Sequence, residues 1–274
     1  MDKYLSYKSF LTYKKKNKFK RNSIAIVTGG VGRIGSIFTG QLLSNGNKVI
    51  CLSRNKKSYT NYKQSLPNNL RKSLYWYEVD FNSPEKLLEI IEKIKKKFKK
   101  IDVLVNNVSD GKRGEFLEYN VSSLNKEFWG TFGSTMLLTE KILPMMRKNR
   151  YGKIINIGSI WGIQAPKFKT YLNLDNGPSP IISSSKGAIT QYTKHLASRE
   201  AEFNITINLL IPGFFPRKGK VENKNYIKSI NSNIPIGRIG RLKDLVNAAE
   251  FLLSNGNSYF TGQSIIVDGG YTIW

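Results

Sequence analysis

The segment Thr28-Gly29-Gly30-Val31-Gly32-Arg33-Ile34-Gly35 constrains this chain more than any other. It follows an apolar run, Ile24 to Thr28, and opens a segment whose apolar residues Ile34, Ile37, Phe38 and Leu42 recur at helical spacing. Glycines between a strand and a helix bring backbone close to a diphosphate, and the helix N-terminus adds N–H donors and a partial positive charge. A tight βα turn with no ligand is the plain alternative. The context favours the phosphate turn, because a second apolar run, Lys48 to Ser53, follows at the distance a nucleotide-binding βαβ unit requires.

Five further apolar runs follow: Leu74 to Val79, Ile101 to Asn106, Lys153 to Ile157, Ile205 to Ile211 and Ser264 to Val267. Short runs without strict alternation predict strands buried on both faces. Between them lie helical patterns. In Pro84 to Phe98, Leu87, Leu88, Ile91, Ile94 and Phe98 form an apolar stripe, Ser83 suits the N-cap and Pro84 the first turn. Alternating strands and helices predict an α/β chain, a single Rossmann-like doubly wound domain. Its sheet is expected to be seven-stranded and mainly parallel with helices on both faces. The domain spans residues 23–274 behind a basic N-terminal arm, 1–22, and 274 residues are enough to bury its core.

Composition narrows the chemistry. One cysteine, Cys51, excludes an intramolecular disulfide and any cysteine-based zinc site, and the single His195 excludes a His-rich metal site. Cys51 reads as a small buried hydrophobe. The formal net charge is +25, which invites nucleic-acid or acidic-membrane readings. The lysines are spread along the chain without a zinc finger or RNP-like aromatic motif, so a solvated basic surface that draws anionic small molecules is expected, with no specific nucleic acid. No run reaches the roughly 18 apolar residues of a membrane helix. Met1 to Asn22 lacks the apolar core of a secretory leader, so a cytoplasmic location is expected.

The second run ends in Leu52-Ser53-Arg54, where a dinucleotide fold meets the adenosine ribose. No acid stands there to repel a 2′-phosphate, whereas Arg54, Lys56 and Lys57 do stand there, so NADP(H) is favoured over NAD(H).

Beyond this turn, residues 23–274 resemble the short-chain dehydrogenase/reductase family in an ordered set of motifs. Val79-Asp80 is similar to its adenine-contacting acid, Asn106-Asn107-Val108-Ser109 to its NNAG segment, and Asn156-Ile157-Gly158-Ser159 to the strand ending in the catalytic serine. Ser185-Lys186-Gly187-Ala188 looks like the segment of the catalytic lysine, and Ile211-Pro212-Gly213 like the nicotinamide-side turn. Gly237-Arg238-Ile239-Gly240 and Thr261-Gly262-Gln263 through Val267-Asp268-Gly269-Gly270 are similar to its C-terminal landmarks. The resemblance implies hydride transfer between a nicotinamide cofactor and a carbonyl or alcohol, with Ser159 and Lys186 catalytic. It implies a cofactor held by Gly29, Arg33, Ile34, Gly35, Ser53, Arg54, Asp80, Asn107, Lys186, Pro212 and Gly213. The helices around Val121 to Lys148 and Ser183 to Phe203 correspond to those that pack a homodimer or homotetramer. Within the family, Gly158-Ser159-Ile160-Trp161-Gly162, the segment Ala165 to Pro180 and the ending Asp268 to Trp274 resemble the flagellin-modification protein A branch, implying a sugar-like or otherwise polar anionic small-molecule substrate.

Three positions depart from the family pattern. Four residues before Lys186, where the family has its proton-carrying tyrosine, stands Ile182. The relay asparagine falls at Thr131, and Arg33 replaces a glycine of the turn. Two readings follow. In one, an oxidoreductase uses a substitute acid, drawn from Tyr171, Lys186, Ser184, Tyr192 or a water. In the other, a catalytically silent member binds a dinucleotide or sugar ligand or partners an active paralogue. Tyr171 reads more readily as a packing residue, His195 as structural or surface, and Trp161 and Trp274 as packing residues. Arg33 either reaches the pyrophosphate or the 2′-phosphate, or it points to solvent, or it blocks the usual approach of the cofactor. The lysine-rich segment Phe214 to Asn233 is similar to the family's substrate lid.

Overall fold

The computed structural model describes residues 19–109, 120–171, 177–216 and 223–273. Most of the basic arm, part of the segments 165–180 and 214–233, and Trp274 lie outside the described residues. Seven strands form one sheet: β1 (Ile24–Thr28), β2 (Lys48–Ser53), β3 (Leu74–Glu78), β4 (Val103–Asn106), β5 (Gly152–Ile157), β6 (Ile205–Pro212) and β7 (Ser264–Val267). Their order is β3-β2-β1-β4-β5-β6-β7 and every pair is parallel, so the expected mainly parallel sheet is wholly so. The order reverses between β1 and β4. At such a switch point the connections leave on opposite faces and open a crevice beyond the carboxyl ends of the strands.

The helices are α1 (Gly35–Ser44), α2 (Lys56–Ser65), α3 (Asn68–Arg71), α4 (Pro84–Lys97), α5 (Val121–Phe128), α6 (Ser134–Lys148), α7 (Pro180–Glu200), α8 (Lys224–Asn231) and α9 (Val246–Leu253). One face of the sheet packs Ile26, Ile50, Leu104 and Ile154 against α4, α6 and α7; the other packs Val27, Val49, Val105 and Leu210 against α1 and α9. Burial of both faces explains the unbroken apolar runs.

Several expectations are corrected. In α4 the buried stripe is Leu87, Ile90, Ile91 and Ile94, with Ile90 in the place expected for Leu88; Ser83 caps the helix as expected. β4 starts at Val103, not Ile101; just before it the Asp102 carboxylate accepts from the Ile24 amide and from Lys20. The helix expected from Ser183 begins at Pro180, its N-cap Ser179 accepting from the Ile182 amide at 3.2 Å. The long helix expected over Val121 to Lys148 is interrupted by a π-helical turn, Trp129–Gly133, which wraps the chain through one extra residue per turn.

Candidate active site and nucleotide crevice

The glycine turn is locked into the switch point. Gly29 adopts φ +59, a left-handed conformation that suits glycine, and its amide donates to the Leu52 carbonyl at 2.8 Å. The Gly32 amide donates to the Gly29 carbonyl at 2.8 Å. A Cβ on Gly35 would stand 2.2 Å from that same carbonyl oxygen, so only glycine lets α1 start this close to the turn. From the other side the Asn107 amide donates to Thr28 Oγ1 at 2.8 Å, and Asn107 Nδ2 to the Thr28 carbonyl at 3.0 Å.

Above the turn lies a crevice of about 440 Å³ whose lining includes Gly29, Arg33, Ile34, Ser53, Arg54, Asp80 and Asn107. Seven of the expected cofactor contacts thus share one wall, and Gly35 stands buried behind it. Lys186, Pro212 and Gly213 do not line it. The Pro212-Gly213 turn ends β6, where the Gly213 amide donates to the Val267 carbonyl at 2.9 Å. Arg33 NH1 spans the gap and donates to the carbonyl of Phe215 at 2.7 Å. Sequence reasoning missed Gly32, Asn55 and Ser58, which also line the crevice. The spacing of glycines 29, 32 and 35 was the available signal for the first. The N-cap pattern was the signal for the pair, since Asn55 accepts from the Ser58 amide at 2.8 Å to open α2 at the crevice rim. The Ser53 hydroxyl accepts from Trp76 Nε1 at 2.9 Å, which fixes its position.

The second group forms where β5 ends. Ser159 caps one 3₁₀ turn, Ile160–Gly162, its hydroxyl accepting from the Trp161 amide at 3.2 Å. Gly162 then packs on α7 so tightly that a Cβ would lie 2.6 Å from the Lys186 carbonyl carbon. Lys186 is buried and its Nζ donates to the Ile157 carbonyl at 2.7 Å. Burial brings its ammonium down to about 8. Helix α7 is fixed under the sheet by a buried amide chain: Asn106 Nδ2 donates to Asn156 Oδ1 at 2.8 Å, and Asn156 Nδ2 to Thr193 Oγ1 at 2.9 Å. The asparagines of the two strand-end motifs therefore brace the site from below.

Ile182 lies one turn before Lys186 on the same face of α7, half-buried and carrying no proton. The candidate substitutes part company. Tyr171 is buried among Trp161, Phe168, Phe214 and Tyr226, with ring centroids 6.3–6.5 Å away, as a packing residue would be. Tyr192 donates its hydroxyl to Glu140 at 3.0 Å, and burial together with that carboxylate pushes its phenol up. Ser184 and His195 are exposed. Thr131 is buried within the π-helical turn, its carbonyl accepting from Thr135 Oγ1 at 2.9 Å. Cys51 is buried under the turn, its thiol pushed up to about 12 by burial. Part of the expected lid is a docked helix: α8 buries Tyr226 and Ile230, and Ser229 Oγ donates to the Thr170 carbonyl at 2.8 Å. Among the described residues no cluster of three or more His, Cys, Asp or Glu could hold a metal, and no helix is long and apolar enough to cross a membrane.

Residues 31–272 match the family model described as Enoyl-(Acyl carrier protein) reductase, adh_short_C2. A 7alpha-hydroxysteroid dehydrogenase of Bacteroides fragilis is 29% identical over 266 residues, 94% of this chain and 96% of that protein. The post-translational flagellin modification protein A of Campylobacter coli is 29% identical over 255 residues, 91% of this chain and 98% of that protein. Among solved structures, a short chain dehydrogenase from Leptospira borgpetersenii with bound NAD+ superposes with a TM-score of 0.80 at 26% identity, covering 93% of this chain and 94% of that one. The Pseudomonas aeruginosa RhlG/NADP complex gives 0.79 at 25% identity, covering 92% and 96%. With the sheet order and the glycine turn, these matches place the chain in the short-chain dehydrogenase/reductase family of oxidoreductases.

Proposed function

We propose that this protein is an NADP(H)-dependent oxidoreductase acting on a polar, sugar-like or anionic carbonyl or alcohol, with Lys186 as proton donor where the family uses a tyrosine. The observation that carries the cofactor is the fit of the turn. Gly35, where a Cβ would strike the Gly29 carbonyl oxygen at 2.2 Å, lets α1 start directly behind a crevice edged by Arg33 and Arg54. A diphosphate suits the α1 N-terminus there, a ribose suits Ser53, the adenine suits Asp80, and Arg54 at the mouth of α2 suits a 2′-phosphate. Lys186 and the Pro212-Gly213 turn would flank the nicotinamide end. When bound, the nicotinamide supplies or accepts a hydride.

The chain's own part is to hold an oxygen and move a proton. Ser159 Oγ would hold the substrate oxygen. Lys186, with its ammonium near 8, donates the proton that this oxygen takes up as its carbon is reduced, and regains it from solvent. We also place the protein in the cytoplasm as a homodimer or homotetramer. Val121, Phe128 and Met136 on α5 and α6 stay 74%, 41% and 43% exposed, and support packing of these helices against another copy.

Ile182 favours the second reading, a silent member that binds without turnover. Titration calorimetry with NADPH and NADH tests binding first, and millimolar ligand giving no heat would overturn the cofactor assignment. NADPH oxidation is then followed over a panel of keto-sugars for wild type and Ile182→Tyr. Measurable wild-type turnover, raised about 10²–10⁴-fold by the new phenol, is the expected result. Turnover confined to the variant would establish the silent reading instead.

A further inference from the structure

We infer that the pole of the sheet opposite the nucleotide crevice is a docking plate for the anionic phospholipid surface of a bilayer. In an all-parallel sheet every strand starts at one pole and ends at the other. The crevice occupies the end pole, and the loops that feed the strands gather at the start pole. Five neighbouring strands bring a cation there: Lys72 before β3, Lys48 as the first residue of β2, Arg21 before β1, Lys99 before β4 and Arg150 before β5. All five are exposed. Strands lie about 4.8 Å apart, so the row is about 19 Å long. The helices return antiparallel to the strands, so the last turns of α4 and α6 reach the same pole and add exposed Lys96 and Lys148. A helix with its side chains is about 10 Å across, which widens the row into a plate.

Little opposes this charge. The acids in the loops that feed the strands are Asp102 and Glu202. Asp102 is buried and already held by Lys20 at 2.9 Å and Lys100 at 3.2 Å. Glu202 lies before β6, at the margin of the plate, where its backbone carbonyl accepts from Arg150 NH2 at 2.8 Å. The sequence carries the same bias further, since residues 3–77 hold no Asp or Glu. The basic arm joins the fold at this pole, through Lys20 on Asp102. Its residues 3–18 hold six lysines, interleaved with Leu5, Phe10 and Leu11.

The chemistry of the plate selects a lipid surface over a nucleic acid. A single strand is tracked by a basic groove and stacks its bases on several rings. Here the cations spread over the ends of two layers. The one fully exposed ring in the loops that feed the strands is Tyr259, before β7. Most of the cations are lysines, point charges that suit a diffuse negative plane, whereas the arginine fork reads individual phosphates. A tyrosine settles at headgroup level, and each lysine or arginine near an anionic leaflet raises partition about fivefold. With this plate on a bilayer the crevice faces away from it and stays open to its ligands.

Sedimentation of the full chain with vesicles tests this. In about 0.1 M NaCl the wild type is expected to pellet with phosphatidylcholine vesicles containing about 30% phosphatidylglycerol and to remain in the supernatant with phosphatidylcholine alone. Raising the salt to about 0.5 M should weaken binding at least tenfold. Lys48→Gln, Lys72→Gln and Lys99→Gln combined should weaken it about 10²-fold, at roughly fivefold per cation. Lys224→Gln, Lys228→Gln and Lys243→Gln combined remove the same charge at the opposite pole and should leave binding within about threefold of wild type. Equal losses in the two triple variants overturn the inference, because net charge and not the plate would then hold the lipid. Equal pelleting with neutral vesicles, or none with anionic ones, overturns it too. Polyuridylate is the rival polyanion, and the vesicles should keep the protein against an equal phosphate concentration of it. If polyuridylate strips the wild type from the vesicles and the plate variant no longer binds it, the plate serves nucleic acid and the inference falls.

Discussion

Lys186 is the residue on which chemistry and stability meet. Burial alone moves its ammonium down to about 8, so the folded chain gives up this proton earlier than the unfolded chain does. Two consequences have opposite signs. In the acid role proposed for it, Lys186 is competent only while protonated, so carbonyl reduction is expected to fall about tenfold per pH unit above about pH 8. For stability, the unfolded state holds the proton up to about 10.4, so between about 8 and that value unfolding takes up a proton and stability rises with pH. Melting temperatures from pH 7 to 10 for wild type and Lys186→Met check the second point. The wild type should gain relative to the variant across that window, and parallel curves would mean that the ammonium is not desolvated. Buried Lys153, also brought down to about 8, adds a like slope that both proteins share. The sequence showed that Lys186 was present and that its tyrosine was not. It could not show the Ile157 carbonyl beneath Nζ, nor the Arg33 bond, because those partners come together only through the fold.

At the scale of elements, legibility followed burial. Strands enclosed on both faces write themselves as apolar runs, and β1, β2 and β7 fell on the expected residues. Interruptions within helices leave no such trace. The π-helical turn at Trp129–Gly133 shifts the register by one residue inside an otherwise periodic stretch, and there Phe132 meets Tyr192 of α7 edge-on at 5.7 Å. The ion network between α6 and α7 was equally hidden. Fully buried Glu200 accepts two bonds from Arg147 and one from Arg199, all at 2.6 Å. Hydrogen bonding from Arg147 holds its carboxyl below the ordinary 4.5. A depressed carboxylate stabilises the fold above that value and loses its contribution as pH falls through its lower folded value. Glu200→Gln is expected to cost about 2–3 kcal/mol near neutral pH, at the lower end for one-sided removal because both arginines reach water. Urea unfolding at pH 7 and pH 3.5 measures it. The gap between the two proteins should narrow at the lower pH, and a constant gap would mean that the carboxylate contributes by shape and not by charge.

For the whole molecule the deciding quantity is the net charge of +25. A field of this sign acts on any anion before contact, and its reach is set by the Debye length, about 10 Å at 0.1 M salt. Association with a dinucleotide therefore depends on the summed surface, whereas dissociation depends on the close contacts at the glycine turn, which salt screens less. NADPH carries one more phosphate than NADH and should feel the field more strongly. Stopped-flow binding from about 20 mM to about 0.3 M NaCl separates the two contributions. The association rate for NADPH is expected to fall roughly tenfold over that range, more steeply than for NADH, while the dissociation rates change by less than about twofold. A dissociation rate that climbs with salt while association stays flat would move the effect onto Arg33 and Arg54. Two flat profiles would reduce the lysines to solvated surface with no bearing on ligand capture. The charge was legible from composition alone, but whether it steers depends on where the crevice lies within that field, and the fold puts its mouth at the switch point with both arginines on its lining.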